Sequence, residues 1–343
     1  MRRSNWVGKY IKIILPICIV PAVLLLGVMI GSANIDAGQI VWVMVNKLTG
    51  ISLPQSITPE TASIIWNIRI PRVLMAFLTG CAVSASGTIM QSTLKNPLAS
   101  PYTMGVSSGA SLGAALVIIT GFSLPVLGGM TLPVTGMLFG FVTVYLVVVL
   151  SAKVDKSLAG FTVVLVGMVL SLFVNALLVL VTALARNKAE SITIWQMGSF
   201  SMRGWSYVGL LLPFLIVGVV GTLLFTREMD AMTFGDSQAL SLGVNTARTK
   251  RILFALAAVL AGSVVSLCGV IGFVDLISPH VARRYYGSRH KVVLPISMLI
   301  GGCLMVLSDL VARTIIRPAE LPVGAITAII GVPFFAYVYF SKR

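Results

Sequence analysis

Charged side chains are scarce in this sequence. They make up 10% of the 343 residues, whereas 57% of the residues are hydrophobic. Soluble domains carry roughly a quarter charged residues, so the shortage excludes a water-soluble fold. The composition predicts an integral membrane protein, and the length of its apolar runs predicts that this protein is all-α.

Histidine and cysteine are also rare, with two and four copies. The sequence offers no nucleophile, no paired carboxylates and no metal cluster for catalysis, so neither an enzyme nor a metal site is predicted. The cysteines all fall inside predicted membrane spans, where small buried hydrophobic residues are expected rather than disulfides or metal ligands. They are Cys18, Cys81, Cys268 and Cys303.

A phosphate-binding loop of the form G-x-x-x-x-G-K-[ST] is missing as well. Any ATP-driven process would therefore need a separate ATPase subunit. The net charge of +15 would suit nucleic acid, but in a membrane protein the distribution of charge matters more than its sum. No nucleic-acid partner is predicted.

Long stretches without Asp, Glu, Lys or Arg run through the chain. A bilayer core of about 30 Å needs about 20 apolar residues per helix. The stretch from 96 to 152 is long enough for two spans, with turn residues at 121–136 between them. Nine clear spans result, in windows 13–37, 73–94, 96–152, 157–185, 204–226, 252–274, 292–308 and 321–341, the first of which includes a single charged residue, Asp36, next to its end.

The first apolar stretch follows four basic residues, and a signal peptide is the alternative to a membrane span there. The stretch is too long for the apolar region of a signal peptide and lacks an A-x-A-like end. A retained first helix is therefore predicted over residues 13–32.

Lys and Arg are distributed unevenly between the connecting segments. With ten spans and the N-terminus inside, seventeen basic residues fall on the inner side and eight on the outer side. This asymmetry predicts a multi-pass protein with both termini in the cytoplasm. The tenth crossing must use residues 269–284. At 1.5 Å per residue these residues are too few for a helix that spans the whole membrane, so a short or broken helix shielded from lipid is predicted.

The two halves of the chain resemble each other. LTGCAVSASGTI (78–89) and LAGSVVSLCGVI (260–271) share six of twelve residues, and LASP (98–101) has a counterpart in LISP (276–279). In the ten-span arrangement the two copies run in opposite directions, which is an inverted repeat of the kind found in transporters. Chance similarity between two helices rich in small residues, which pack closely, is the alternative.

A compact turn is predicted between the second and third spans. Pro97 and Pro101 in KNPLASP end the preceding helix. The third span then begins with the small residues of GVSSGA (105–110), whose side chains let the backbone of a neighbouring helix come into contact. The stretch is typical of a tight connection between two closely packed helices.

Three long stretches carry a resemblance to a known family. Residues 68–116 (IRIPRVLMAFLTG and onward), 269–295 (GVIGFVDLISPHVARR and onward) and 308–335 (SDLVARTIIRPAELPVG and onward) resemble, in this order, the signatures of the permease subunits of iron-siderophore and cobalamin ABC importers. The resemblance implies about ten helices in a type II ABC importer permease architecture. It also implies one domain over 1–343, with a first repeat at about 69–185, a sixth helix and coupling segment at 204–251, and a second repeat at about 252–340.

The resemblance also implies partners and a location. These are an identical or related permease subunit, two cytoplasmic ATPases and an extracytoplasmic substrate-binding lipoprotein, assembled in the cytoplasmic membrane of a bacterium. ATP would be used by the ATPases, iron would travel within the cargo, and the chain itself would bind no cofactor. The cargo expected is a ferric siderophore, with haem and cobalamin left open.

A charged segment at 226–251 separates the sixth and seventh spans. Asp236 is predicted to cap a short helix over SQALSL, and Gly243 is predicted to end it. A solvated loop is the alternative, but GDSQALSLGV is similar to the family's coupling segment. The resemblance implies ATPase contact through Gly235, Asp236, Ala239, Leu242 and Gly243.

Three arginines lie at outer span ends, namely Arg69, Arg72 and Arg313. Basic residues there often extend to the membrane interface. In the family, the matching arginines pair with acidic residues of the binding protein, a contact that guanidinium groups suit. The resemblance therefore implies a docking role for all three.

Ionisable residues inside spans are candidates for function. Asp309 and Arg313 are spaced to pair on one helix face. Asp275 stands where the family usually has glycine, so either Ser278 or backbone N–H groups satisfy it, or it faces the pathway. His280 is predicted to be a hydrogen-bonding residue at a helix end rather than a metal ligand.

Residues of the pathway are proposed from the turn, the short helix and the outer loop. Trp195 either anchors the loop at the membrane interface or lines the entrance. An ion-coupled secondary transporter is the rival function, but its candidate carboxylates, Asp275 and Asp309, both lie in the second half. The predicted pathway set is Gln91, Asn96, Pro97, Ser107, Gly109, Trp195, Asp275, Pro279 and His280.

Overall fold

Helices supply all the regular structure in the computed structural model, which describes residues 18–31 and 35–340. The first half contains α1 (Cys18–Met29), α2 (Ala37–Thr49), α3 (Pro59–Ser63), α4 (Ile70–Thr93), α5 (Val106–Thr120), α6 (Thr131–Val154), α7 (Gly160–Leu184) and α8 (Ala189–Gln196). The second half contains α9 (Trp205–Leu224), α10 (Thr226–Met232), α11 (Asp236–Ser241), α12 (Thr246–Cys268), α13 (Val274–Tyr286), α14 (His290–Ala312) and α15 (Val323–Phe340). A π-helical stretch at Ile64–Arg69 joins α3 to α4.

Within residues 18–31 and 35–340, six continuous helical stretches are long and apolar enough to cross a membrane. They contain α4, α6, α7, α9, α12 and α14, and three shorter apolar helices are α1, α5 and α15. Each of the nine predicted spans thus contains an apolar helix, which confirms an all-α multi-pass protein. Positions 13–17 and 32 of the predicted first helix, and both chain termini, lie outside the described residues.

The predicted tenth crossing is a short helix, as the sequence indicated. Helix α13 has 13 residues, about 20 Å at 1.5 Å per residue, and a bilayer core is about 30 Å thick. Gly269, with a φ of +82°, ends α12, and Phe273 has a φ of +69° just before α13 begins. A non-helical segment lies between these two residues.

Helix α4 lies at the centre of the bundle, because small residues let its neighbours approach its backbone. A Cβ atom added at Gly80 would lie 2.1 Å from the carbonyl oxygen of Gly301 on α14. A Cβ atom at Gly87 would lie 2.1 Å from the carbonyl oxygen of Asp275 on α13. Real Cβ atoms do not approach so closely, so both contacts depend on glycine.

The packing of the helices follows the predicted inverted repeat. Helix α4 packs on α13 and α14, and its counterpart α12 packs on α5 and α6. Thr79 contacts Cys268, whereas Ser86, further along α4, bonds to Ala257, earlier in α12. Helices α4 and α12 are therefore antiparallel. Each of them, the first helix of its repeat, packs against helices of the other repeat.

Candidate functional site

The segment between α9 and α12 forms two short helices at one end of the bundle. Gly235 has a φ of +123° and is the N-cap of α11, so the prediction that Asp236 is the cap was wrong. Asp236 is the first residue of the helix, and its carboxylate faces two lysines instead of the backbone. This difference arises because an ammonium partner at close range binds a carboxylate more strongly than a backbone N–H does.

The end of α11 is formed as the sequence predicted. Gly243 has a φ of +86°, its N–H donates to the Leu240 carbonyl, and the Val244 N–H donates to the Ala239 carbonyl. These two bonds are the Schellman arrangement that ends a helix at a left-handed glycine.

One carboxylate holds α11 to the rest of the chain. Asp236 accepts a bond from the Lys95 ammonium at 2.7 Å and from the Lys250 ammonium at 2.6 Å. Partial burial acts to raise the pKa of Asp236, but the hydrogen bonds from Lys250 and Lys95 outweigh it and hold the pKa below 3.8, its ordinary value. We call Lys95, Asp236 and Lys250 the lysine bridge.

Apolar side chains on this segment face outward. The exposed fractions of Phe234 and Leu242 are 72% and 70%, and Leu240 is also exposed, whereas Ala239 is fully buried. Exposed apolar side chains grouped on a small element are typical of a surface that another protein covers. Of the predicted coupling residues, Leu242 and Gly243 are therefore accessible, Gly235 and Asp236 are partly so, and Ala239 anchors the helix from below.

A second ionic contact fixes α10. Asp230 accepts bonds from the backbone N–H of His290 at 2.9 Å and from its ring nitrogen Nδ1. Asp230 thereby holds the first residue of α14 against α10. The sequence analysis missed this pair and both lysines of the bridge, because Asp230 and His290 are 60 positions apart, Lys95 is 141 positions from Asp236, and Lys250, 14 positions away, lies beyond the reach of a local capping pattern.

The three arginines predicted to dock a binding protein lie together at the opposite end of α4. Arg69, Arg72 and Arg313 are 5%, 8% and 9% exposed, and they bond within the chain. Arg69 donates to the carbonyls of Val28 and Met29 at 2.8 and 2.7 Å. Arg313 donates to Gly27, so both guanidinium groups satisfy the last carbonyls of α1, where a cation also complements the helix dipole.

Arg72 forms the ionic centre of this end. Its guanidinium donates to Asp309, with a closest distance of 2.8 Å, and to Glu320 at 2.7 Å. The predicted pair of Asp309 with Arg313 is present at 3.5 Å. We call Arg69, Arg72, Asp309, Arg313 and Glu320 the arginine cluster, and its hydrogen bonds join α1, α4, α14 and the segment before α15.

Asp275 lies in the protein interior beside Gln91 of α4. Its side chain is 1% exposed, and Ser100 lies near it. Neither carboxylate oxygen has a hydrogen-bond partner of ordinary geometry, and the Ser278 hydroxyl has none either. Ser278 therefore does not satisfy this carboxylate, whereas the predicted alternative, backbone N–H groups near the start of α13, lies close to it, at Phe273, Asp275 and Leu276.

Gln91 connects two elements around Asp275. Its amide nitrogen donates to the Asp275 carbonyl at 3.1 Å, and its oxygen accepts from Arg283 further along α13. Tyr102 donates to the carbonyl of Ile271 at 2.6 Å. The loop before α5 and the two ends of the α13 region are thus tied to α4.

The other predicted pathway residues lie at several different places in the described part of the bundle. Asn96 and Pro97 are exposed at the end of α4, and Gly109 lies against Thr143 of α6. Ser107 and Trp195 are half-buried, and the Trp195 carbonyl packs against Gly269. Pro279 is buried, and His280 lies inside α13 rather than at a helix end, with its ring 6.2 Å from that of Phe334.

Comparison with known proteins places this arrangement in a family. The model of the FecCD transport family matches residues 18–341. An uncharacterized ABC transporter permease protein, YvrB of Bacillus subtilis, is 40% identical over 98% of this chain and 95% of its own length. The hemin transport system permease protein HmuU of Yersinia pestis is 36% identical, over 94% of each chain.

A solved structure shares the fold. A metal-chelate type ABC transporter in an inward-facing conformation superposes with a TM-score of 0.83 at 30% identity, over 96% of this chain and 99% of its own. Further relatives are named for cobalamin, ferric citrate and molybdate import. The chain therefore belongs to the FecCD transport family and is the permease subunit of an ABC importer.

Proposed function

We propose that the chain carries a ferric siderophore across the cytoplasmic membrane of a bacterium, powered by separate ATPases. The observation that carries the ATPase contact is the segment of α10 and α11. It exposes Phe234, Leu240 and Leu242 at one end of the bundle, while Asp230 and Asp236 bond it to α14, α4 and α12. An exposed apolar surface on a firmly attached element suits a contact that must transmit force.

The proposed assembly contains a second permease subunit, identical or related, two cytoplasmic ATPases and a substrate-binding lipoprotein outside. The ATPases bind and hydrolyse ATP, and the chain needs no cofactor of its own. Iron enters only within the cargo. Closure of the ATPases on ATP would move α11 and switch access to the pathway, provided that their contacts differ between the two states.

The pathway is proposed to pass near α13 and the end of α4. Glycine contacts at Gly80 and Gly87 let α14 and α13 lie directly against the α4 backbone. Helices that meet through glycine have little side-chain interlock, so α13 can shift along α4 with few rotamer changes. The polar residues Gln91, Asn96, Asp275 and His280 lie along this route.

The choice of a ferric siderophore is supported by the signature stretches of the sequence. The relatives named above are named for other cargoes as well, among them hemin, cobalamin, ferric citrate and the oxyanion molybdate, so the permease fold serves a wide range of cargoes. Selectivity would lie largely in the substrate-binding protein.

Docking of that binding protein on Arg69, Arg72 and Arg313 is also a proposal. In the structure these three side chains bond to α1, Asp309 and Glu320. To reach acidic residues of a partner, they would have to exchange intrachain bonds for intermolecular ones. The exposed charges of Arg317 and Glu320 lie at the same end and could take part in the contact.

The test is uptake by proteoliposomes that contain the chain, a partner permease, the ATPase and the binding protein. Labelled ferric hydroxamate siderophore, ferric citrate, hemin and cobalamin are each offered, with ATP or with an ion gradient alone. ATP-dependent uptake of the ferric siderophore that requires the binding protein supports the proposal. Uptake on a gradient without the ATPase would contradict it, and the buried Asp275 would then be the first candidate for ion coupling.

A further inference from the structure

The lysine bridge joins α11 to both halves of the chain. Lys95 follows the last turn of α4, and Lys250 lies in the first turns of α12. These two helices are the equivalent, antiparallel members of the inverted repeat. Their ends meet at a single carboxylate, that of Asp236 in the first turn of α11.

We propose that the lysine bridge transmits displacement of α11 to α4 and α12 together. In this view Lys95 and Lys250 are positioning residues, which act through Asp236 and touch neither ATP nor cargo. The inference rests on the proposed contact of α11 with an ATPase. It adds the route by which a movement at that contact reaches the two symmetry-related helices.

The Lys250 branch of the bridge is built for rigidity. The Lys250 side chain is 2% exposed, and its ammonium donates to Asp236 at 2.6 Å and to the carbonyls of Ser157 and Leu158 at 3.1 Å. Three acceptors use all three of its N–H donors. A buried ammonium that is fully bonded in this way can hardly leave its position without losing charge-assisted hydrogen bonds.

The turn that carries the other two acceptors of Lys250, the carbonyls of Ser157 and Leu158, is also held in place. Asp155 accepts bonds from the backbone N–H groups of Ser157 and Ala159 at 2.9 and 2.8 Å. This closes the turn between α6 and α7 whose carbonyls receive Lys250. Movement of α11 would therefore pull on the start of α7 as well as on α12.

The Lys95 branch is more exposed and depends on an unusual backbone. Lys95 has a φ of +51°, a left-handed conformation that is unfavourable for a residue with a Cβ atom. Its side chain is 36% exposed, and that of Asp236 is 32% exposed. Solvent screens this pair more than the buried one, so Lys95 can be substituted with less risk to folding than Lys250.

The first test uses the full-length chain in lipid nanodiscs, without partners, and follows amide hydrogen exchange by mass spectrometry. Asp236→Asn is expected to speed exchange in residues 237–244 about tenfold, as expected when a charge-assisted hydrogen bond is lost. Asp236→Glu restores protection. Lys156→Met, which removes an exposed lysine that has no contact with Asp236, leaves exchange unchanged. Equal exchange in wild type and Asp236→Asn overturns the bridge.

The second test adds the ATPase and compares exchange with and without ATP. In wild type, ATP is expected to change exchange at both helix ends, in residues 91–99 and 246–253. Lys95→Met is expected to abolish the response in 91–99 and keep that in 246–253, and Lys95→Arg is expected to restore both. A normal response of both ends in Lys95→Met overturns the inference alone. No response in wild type, despite a bridge shown by the first test, overturns the proposed coupling and the inference with it.

Discussion

Arg72 is predicted to stabilise the fold rather than to serve docking alone. The carboxylate of Asp309 is 1% exposed, Arg72 lies 2.8 Å from it, and Arg313 lies 3.5 Å from it. The substitution Arg72→Met would leave Asp309 with the more distant guanidinium only. Removing one partner of a buried ion pair costs about 3–5 kcal/mol. The lost contact with Glu320 adds little, because the side chain of Glu320 is 36% exposed.

The assay is reversible unfolding by SDS in mixed micelles, followed through the fluorescence of the five tryptophans. The control is Arg317→Met, an exposed arginine at the same end, which is expected to change the free energy of unfolding by less than about 0.5 kcal/mol. The double variant Arg72→Met with Asp309→Asn is expected to be about 2 kcal/mol more stable than Arg72→Met alone, because it no longer contains the buried Asp309 carboxylate that has lost its main partner. If Arg72→Met unfolds like wild type and only weakens binding of the substrate-binding protein, our structural interpretation is wrong.

Three further predictions concern other parts of the bundle. Gly80→Ala is expected to destabilise the protein by about 1–3 kcal/mol in the same assay, because the new Cβ would lie 2.1 Å from the Gly301 carbonyl. Asp275→Ala is expected to stabilise it by about 1–3 kcal/mol, because two buried oxygens without hydrogen bonds are removed. The stability difference between wild type and Glu320→Gln is expected to be constant above pH 5.5 or so and to shrink as pH falls below the ordinary pKa of 4.5. It vanishes once pH has fallen through the lower pKa that the bond from Arg72 gives Glu320 in the folded chain, because the contribution of Glu320 is lost on protonation.

Each of these predictions has a control and a refuting result. Gly209→Ala, in a span where a Cβ meets no atom within 4 Å, is the control for Gly80 and is expected to be neutral or stabilising; equal effects at both sites would refute the close helix contact. Asp309→Ala is expected to destabilise where Asp275→Ala stabilises, so a loss of stability at Asp275 would mean that its carboxylate has a partner. A Glu320→Gln difference that does not decrease at all as pH falls below 4.5 would show that another group carries the effect.

The sequence was sufficient for the apolar spans but not for the ionic contacts between helices. Spans are readable because hydrocarbon requires about 20 consecutive apolar residues, and the short α13 followed from the lack of residues for a full crossing. Gly243 was readable too, because ending a helix in the left-handed region is a local property of glycine. Each of these features depends on a few neighbouring residues.

The role of Asp236 could not be predicted in the same way. Its capping prediction considered only the next few residues, whereas its two partners, Lys250 and Lys95, are 14 and 141 positions away. The arginines were likewise placed correctly at one end of the spans, but the carbonyls of α1 that receive Arg69 became visible only in the packed bundle. Contacts between distant segments follow from tertiary packing, which local sequence patterns do not encode.

The central claim is that the exposed face of α11 binds an ATPase, and Leu242 tests it most directly. This side chain is 70% exposed, so Leu242→Asp should leave the free energy of unfolding nearly unchanged. Burial of a leucine at an interface contributes about 1.5–3 kcal/mol, so we predict that the ATPase binds the Leu242→Asp chain in nanodiscs at least about tenfold more weakly than wild type. Equal affinity for the two chains would contradict the account.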